Sequence, residues 1–321
     1  MTQAFMVVGA TSHAGKSLLC AAICRMLSRR GLRVSPFKGQ NMALNAYVTD
    51  TGDEIGYAQA VQAWAAGVEP TVEMNPILLK PQGDMTSQVI LNGKAVGRTQ
   101  AQQYYEQYFD RGWEAIKTAL GKLQKKYDYI VCEGAGSPAE INLMHRDLTN
   151  MRVAEYLNAD TLLVVDIERG GSFAHIVGTL EILKHANAGH HLVKGILINK
   201  FRGQESILQP GIDWVENYTG IPVVGVIPYL QQVFPAEDSL DLLERRGRKR
   251  NTDLTIAVIH LPKISNFTDF DPLEAETSVS MRYVRPQEQL GNPDVVILPG
   301  SKTTIADLQA LQATGMASAL Q

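Results

Sequence analysis

The sequence predicts an α/β fold: a mostly parallel sheet with a phosphate-binding loop and helices on both faces, followed by the truncated start of a second α/β domain. Three observations predict it. Short apolar, β-rich runs recur along the chain, longer amphipathic stretches separate them, and the first run leads through a small-residue loop straight into a helix. Buried parallel strands read as such apolar runs, and the intervening helices serve as crossovers.

In order, the strands are expected at Phe5 to Val8, Tyr129 to Cys132, Leu162 to Val165, Gly195 to Ile198 and Val223 to Ile227. The helices are expected at Lys16 to Arg30, Glu54 to Ala66, Thr99 to Leu123, Met151 to Asn158 and Ser172 to Ala186. A polar, basic stretch from Asp241 to Asp253 precedes a fresh strand at Leu254 to Ile259. Residues 1–240 are therefore read as one domain, 241–253 as a linker and 254–321 as part of a second. Within that second part, Val295 to Leu298 is a strand leading into Pro299-Gly300-Ser301.

Composition narrows the function classes. With 321 residues, 45% apolar and 20% charged, the chain can bury a core and is not intrinsically disordered. Thirty Lys and Arg against 33 Asp and Glu give a formal charge of -3, which argues against a nucleic-acid partner. The apolar runs are strand-sized, so no membrane partner is expected, and the cytoplasm is the expected compartment. Cys20, Cys24 and Cys132 lack disulfide or zinc spacing and read as reduced core thiols.

The segment Gly9-Ala-Thr11-Ser12-His13-Ala14-Gly15-Lys16-Ser17 fits a relaxed P-loop, with Ala10 where the strict pattern has Gly. Loop N–H groups and the helix N-terminus can converge on phosphate oxygens. Lys16 can reach the β and γ oxygens, and Ser17 can ligate magnesium. ATP and Mg2+ are the expected cofactors. Glu133 ends a buried strand at the sheet edge where ligands bind, which makes it a metal or water-holding candidate. Glu54, read at a helix start, is a further metal candidate, with an ordinary acidic first-turn residue as the alternative. Lys38, Gln40 and Asn41 lie in a run of four polar or flexible residues where a structural turn would need only one or two, and suit a phosphate or carboxylate. Asp166 and Arg169 border the next loop, where Arg169 suits an anionic substrate and a local ion pair is the alternative. Asn199 offers a donor and an acceptor to a nucleotide base. No role is assigned to His145, His190 or His191.

Together, Gly9 to Ser17, Phe37-Lys-Gly-Gln-Asn-Met-Ala-Leu-Asn-Ala46, Glu54-Ile-Gly-Tyr-Ala-Gln-Ala60 and Glu133-Gly-Ala-Gly-Ser-Pro-Ala-Glu-Ile-Asn-Leu143 resemble cobyric acid synthase. The resemblance continues through Asp166 to Gly171, Ile198 to Arg202 and Val295 to Lys302. It implies a dethiobiotin synthetase-like nucleotide domain followed by a triad-type glutaminase domain. It also implies ATP-dependent amidation of peripheral carboxylates of adenosylcobyrinic acid a,c-diamide, a corrinoid, on the way to cobalamin. Glutamine or ammonia would be the nitrogen donor, through an acyl phosphate. Asp147 is by resemblance a catalytic or substrate-positioning residue, and a structural role is equally tenable. The resemblance places a nucleophilic cysteine and a histidine after the Pro-Gly-Ser segment. The twenty residues after Ser301 hold neither, so this polypeptide is not expected to hydrolyse glutamine. Cobyrinic acid a,c-diamide synthase, a ParA-like regulatory ATPase and an inactive nucleotide-binding remnant stand as alternatives. The oligomeric state, a homo-oligomer included, is left open.

Overall fold

The computed structural model describes residues 2–83, 85–230 and 252–321. From the N-terminus the elements are β1 (Gln3–Gly9), α1 (Lys16–Arg29), β2 (Val34–Phe37), β3 (Gln40–Met42), β4 (Ala46–Val48), β5 (Glu54–Gly56), α2 (Tyr57–Ala66), β6 (Ile77–Gly83), β7 (Thr86–Leu91), β8 (Lys94–Gln100) and α3 (Ala101–Gln124). There follow β9 (Tyr129–Glu133), α4 (Met151–Leu157), β10 (Asp160–Asp166), α5 (Ser172–His185), β11 (Val193–Phe201), α6 (Glu205–Thr219) and β12 (Val223–Pro228). The last stretch holds β13 (Leu254–Ile259), α7 (Asp271–Ala275), β14 (Val279–Val284), β15 (Val295–Ile297), α8 (Thr304–Ala313) and α9 (Met316–Ala319).

Six strands form one sheet in the order β12-β11-β10-β1-β9-β2, every neighbouring pair parallel. Apolar side chains on its two faces belong to separate clusters. Met6, Val8, Ile130, Cys132, Leu163 and Val165 lie in the cluster shared with α3 and α5, and Val7, Val131 and Val164 in the cluster shared with α1. Burial on both faces is why these strands are apolar without alternation. Pro36 sits in β2, an end strand of the order, where a missing N–H leaves no inner ladder bond unmade.

All five strands expected in the first domain are present and extend one to three residues further at one or both ends. The helix expected from Glu54 instead begins at Tyr57, because Glu54 to Gly56 pair antiparallel with Ala46 to Val48. The helix expected from Thr99 begins at Ala101, since Thr99 and Gln100 finish β8. A four-stranded sheet, β3-β6-β7-β8, has no counterpart in the apolar pattern. Its strands carry Lys80, Pro81, Gly83 and Gly97 and are partly exposed, which blurs the period-2 signal. Pro81 is tolerated because β3 pairs with β6 only through Leu79.

Beyond the first sheet, β13 and β15 fall where the sequence places strands, and β14 completes a parallel sheet ordered β14-β13-β15. Of the expected linker, residues 241–251 lie outside the described residues. Among the described residues no helix is long and apolar enough to cross a membrane.

Candidate functional site

The carboxyl ends of β1, β9, β10 and β11 are neighbours in the sheet, so the loops after them converge. After β1, the loop turns into α1 at Gly15, whose φ of +96° is left-handed. A Cβ there would also lie 2.2 Å from Asn199 Nδ2. That close approach exists because Asn199, at the end of β11, donates to the Ala14 carbonyl at 2.8 Å. Lys200 donates to the His13 carbonyl and to Asp166 Oδ2, both at 2.8 Å. Two adjacent residues of β11 thus hold the P-loop from one side.

Glu133, at the end of β9, is the hub of a buried polar network. Ser17 donates to Glu133 Oε1 at 2.8 Å, and the Lys38 ammonium reaches the same oxygen at 2.8 Å. Gln62 donates to Oε2 at 2.6 Å and Gln59 at 3.4 Å. Asn41 in turn donates to Gln59 Oε1 at 3.0 Å. Glu133 is 1% exposed and Lys38 3%. Removing two such charges from water costs several kcal/mol per ion, and the network offsets this only by satisfying the carboxylate on both oxygens. Lys38 and Asn41, expected to touch substrate, are committed to this network, while Gln40 accepts from Tyr104 at 2.6 Å. The glutamines of α2 escaped sequence reasoning because a polar residue on a helix gives no local sign that it faces inward.

Lys16 points across the loop, its Nζ 3.3 Å from the Gly136 carbonyl and 3.5 Å from that of Thr11. The stretch after β9 is itself clamped. Asn150 donates to the Ala135 carbonyl at 2.8 Å and accepts from its N–H at 3.1 Å. Asp147 lies one step further out. Its carboxylate accepts from the N–H groups of Thr149 and Asn150 at 2.8 Å and of Arg152 at 3.0 Å. All three are bonds from backbone N–H groups leading into α4.

Asp166 receives Lys200 and the Glu168 N–H, with Arg169 Nε at 3.9 Å. The ion-pair alternative for Asp166 and Arg169 therefore has its geometry here, Arg169 itself remaining mostly exposed. Glu54 corrects an expectation: it lies in β5, and its carboxylate is ion-paired with Lys80 at 2.6 Å. The three thiols are buried, as expected. Burial, more than the nearby Glu133 charge, raises Cys20, and burial pushes Cys24 up to about 12.

Magnesium fits this site on its donor chemistry. Ser17 and Glu133 offer adjacent hard oxygens. Gln62 has both neighbours of its Nε2, Glu133 Oε2 and the Ser17 carbonyl at 3.2 Å, as acceptors, which fixes the amide orientation. Its Oε1 is then buried with no hydrogen-bond partner among the described residues. Such an orphaned oxygen is an acceptor that a water or hydrated ion would satisfy. Among the described residues no group of three or more His, Cys, Asp or Glu converges, so phosphate oxygens and water would complete the shell.

A family model described as an AAA domain matches residues 3–237, nearly three-quarters of the chain. The chain belongs to this AAA domain family. A second model, described as a CobB/CobQ-like glutamine amidotransferase domain, matches residues 255–321. Over 318 residues the chain is 72% identical to cobyric acid synthase of Acaryochloris marina, covering 99% of this chain and 64% of that protein. It is 70% identical over 319 residues to cobyric acid synthase of Trichormus variabilis, covering 99% and 65%. The resemblance to cobyric acid synthase that the motifs carry is therefore borne out, and the chain spans just under two-thirds of the length of these relatives. Among solved structures, chloroplast FtsY of Physcomitrella patens matches at 18% identity over 74% of this chain and 61% of that one, with a TM-score of 0.38. FtsY of Thermotoga maritima gives 18%, 72%, 63% and 0.38. At those scores the fold rests on the sheet order itself.

Proposed function

We propose that this chain carries the ATP-dependent ligase half of a cobyric acid synthase. Residues 1–240 would be the amidoligase domain, 241–253 the linker and 254–321 the start of a glutaminase-like domain. The substrate would be adenosylcobyrinic acid a,c-diamide, amidated at its peripheral carboxylates. The observation that carries the reading is the contact between Ser17, at the end of the P-loop, and Glu133, across the sheet edge.

A carboxylate resists ammonia because its charge repels the nucleophile and oxide is a poor leaving group. In the proposed reaction a substrate carboxylate oxygen attacks the γ-phosphorus of ATP and ADP leaves, giving an acyl phosphate. Ammonia attacks the acyl carbon, and phosphate departs with the former carboxylate oxygen as nitrogen loses a proton. The loop from Gly9 to Gly15 and the N-terminus of α1 supply N–H groups to the phosphates. Lys16, already crossing that loop, compensates charge on the β and γ oxygens. Magnesium held at Ser17 and Glu133 would supply further charge neutralisation there. Asn199 and Lys200 keep the loop in shape from β11, and Asn199 would also meet the nucleotide. Asp147 acts through Asn150 and Ala135 to set the strand-end loop that faces Lys16, which makes it a positioning residue.

Purified chain is incubated with the corrinoid, magnesium-ATP and a high concentration of ammonium, so that the ligase step is read independently of glutamine. ADP and amidated corrinoid, followed by mass spectrometry, are the expected products. Corrinoid-independent ATP turnover would instead favour a regulatory ATPase, and no ADP at all would leave a nucleotide-binding remnant.

A further inference from the structure

Outside the phosphate site, one face of the four-stranded sheet carries a row of polar side chains in cross-strand register. Lys80 of β6 pairs with Gln88 of β7, and Gln88 with Arg98 of β8. Neighbouring strands lie about 4.8 Å apart, so the three side chains stand side by side. They share the face of Leu78 and Ile90, which cluster with Ala43, whereas Leu79 and Val89 turn the other way into the main core with Tyr104 and Tyr108. The C-terminal part of the chain lies against this side. The Ala46 N–H donates to Asn266 Oδ1 at 3.4 Å, and Lys302 sits within electrostatic reach of Lys80, Arg98 and Glu54.

Among the described residues, charge does not balance in this seam. Three cations gather, and Glu54, paired with Lys80, is the carboxylate among the groups that act on Lys302. Neither Arg98 nor Lys302 has an ion-pair partner among the described residues. Burial, then Lys80 and Arg98, hold the Lys302 ammonium below its ordinary range against the opposing pull of Glu54. Midway along the row, Gln88 Oε1 is buried without a hydrogen-bond partner among the described residues. Excess positive charge beside an unused amide oxygen complements a ligand that offers both an anion and an N–H donor.

We propose that Lys80, Gln88 and Arg98, faced by Lys302, form a second binding site that takes a carboxylate and a neighbouring primary amide of the substrate. This rests on the corrinoid reading above, since an a,c-diamide bears both groups. Lys80 pairs with Glu54 of β5, which leads directly into α2, the helix that supplies Gln59 and Gln62 to Glu133.

The test measures binding of adenosylcobyrinic acid a,c-diamide without ATP to wild type, Arg98→Met, Lys302→Met and Arg98→Lys. Citrate, a polycarboxylate without a corrin ring, serves as a second probe by thermal shift. Each methionine variant should bind the corrinoid about tenfold more weakly, the loss of roughly one charge-assisted hydrogen bond. Arg98→Lys should recover most of that loss, and magnesium-ATP affinity and the melting temperature without ligand should stay at wild-type values. The citrate-induced shift should shrink in the same two methionine variants. Unchanged corrinoid and citrate binding in Arg98→Met and Lys302→Met overturns the site. Weakened corrinoid binding in those variants, with no ammonium-dependent product from wild type, would keep the site and sink the ligase reading.

Discussion

Ser17 Oγ lies 2.8 Å from Glu133 Oε1 although 116 residues separate them. The first residue ends the loop after β1 and the second ends β9, and the parallel register Val7↔Glu133 brings those strand ends together. The same Glu133 oxygen receives Lys38, so one carboxylate joins the P-loop to a buried cation.

Neutralising Glu133 should therefore damage turnover and stability separately. Glu133→Gln is expected to lower ADP formation by about 10²–10³-fold. It should also destabilise the fold by about 3–5 kcal/mol, because the buried Lys38 ammonium loses the charge of Glu133. The double variant Lys38→Met/Glu133→Gln should regain much of the stability and none of the turnover. Urea unfolding beside ADP release reads both, and parallel recovery of the two would show that the activity loss was only misfolding.

Two glycines should respond in opposite directions to an added methyl group. At Gly56 a Cβ would stand 2.4 Å from Asn41 Nδ2 and 2.6 Å from Gln59 Oε1, inside the network that ends on Glu133. Gly56→Ala should cost about 1–3 kcal/mol by overpacking. At Gly121, inside α3, a Cβ meets nothing within 4 Å, and Gly121→Ala should stabilise by about 0.5–1 kcal/mol through helix propensity. Chemical denaturation of the two variants checks the signs, and a stable Gly56→Ala would mean that the network is loosely held.

Asp147 should behave as a residue that acts through backbone bonds. Asp147→Asn keeps an acceptor oxygen and should retain most of the ADP-forming rate, whereas Asp147→Ala loses all three bonds and about 0.5–2 kcal/mol of stability. Equal loss of rate in both variants, with stability intact, would assign the carboxylate charge a direct chemical task.

Alkaline pH should weaken the fold through its thiols. Burial holds Cys24 at about 12, against about 8.5 in an unfolded chain. Because the folded pKa is the higher one, this contribution is complete below about pH 8.5. It declines as pH rises toward 12, by about 1.4 kcal/mol per pH unit for each such thiol. Unfolding free energies between pH 7.5 and 10 should fall less steeply in Cys24→Ala than in wild type. Identical slopes would show that the thiol is solvated in the fold.

How much of this was legible in the chain depends on how far each residue's partners lie along it. The P-loop, the five parallel strands and the placement of Glu133 at a strand end follow from apolar runs and a contiguous motif, because local sequence sets local backbone geometry. The antiparallel strands around Lys80 to Arg98 left no such mark, since half-exposed strands interrupted by Pro and Gly lose their alternation. Likewise Glu54 reads as a helix-start acid until β4 folds back and makes Gly56 the last residue of a strand.

By itself, then, the sequence determined a phosphate-binding α/β domain and its likeness to cobyric acid synthase. Only the tertiary structure decided that Lys38, Gln59 and Gln62 close on Glu133, that Asp147 grips backbone amides, and that Lys302 comes within electrostatic reach of Lys80 and Arg98. The physical reason is that a periodic pattern reports which side of its own element a residue faces. The identity of a hydrogen-bond or ion-pair partner is fixed only when elements far apart in the chain are packed together and a buried charge must find its complement.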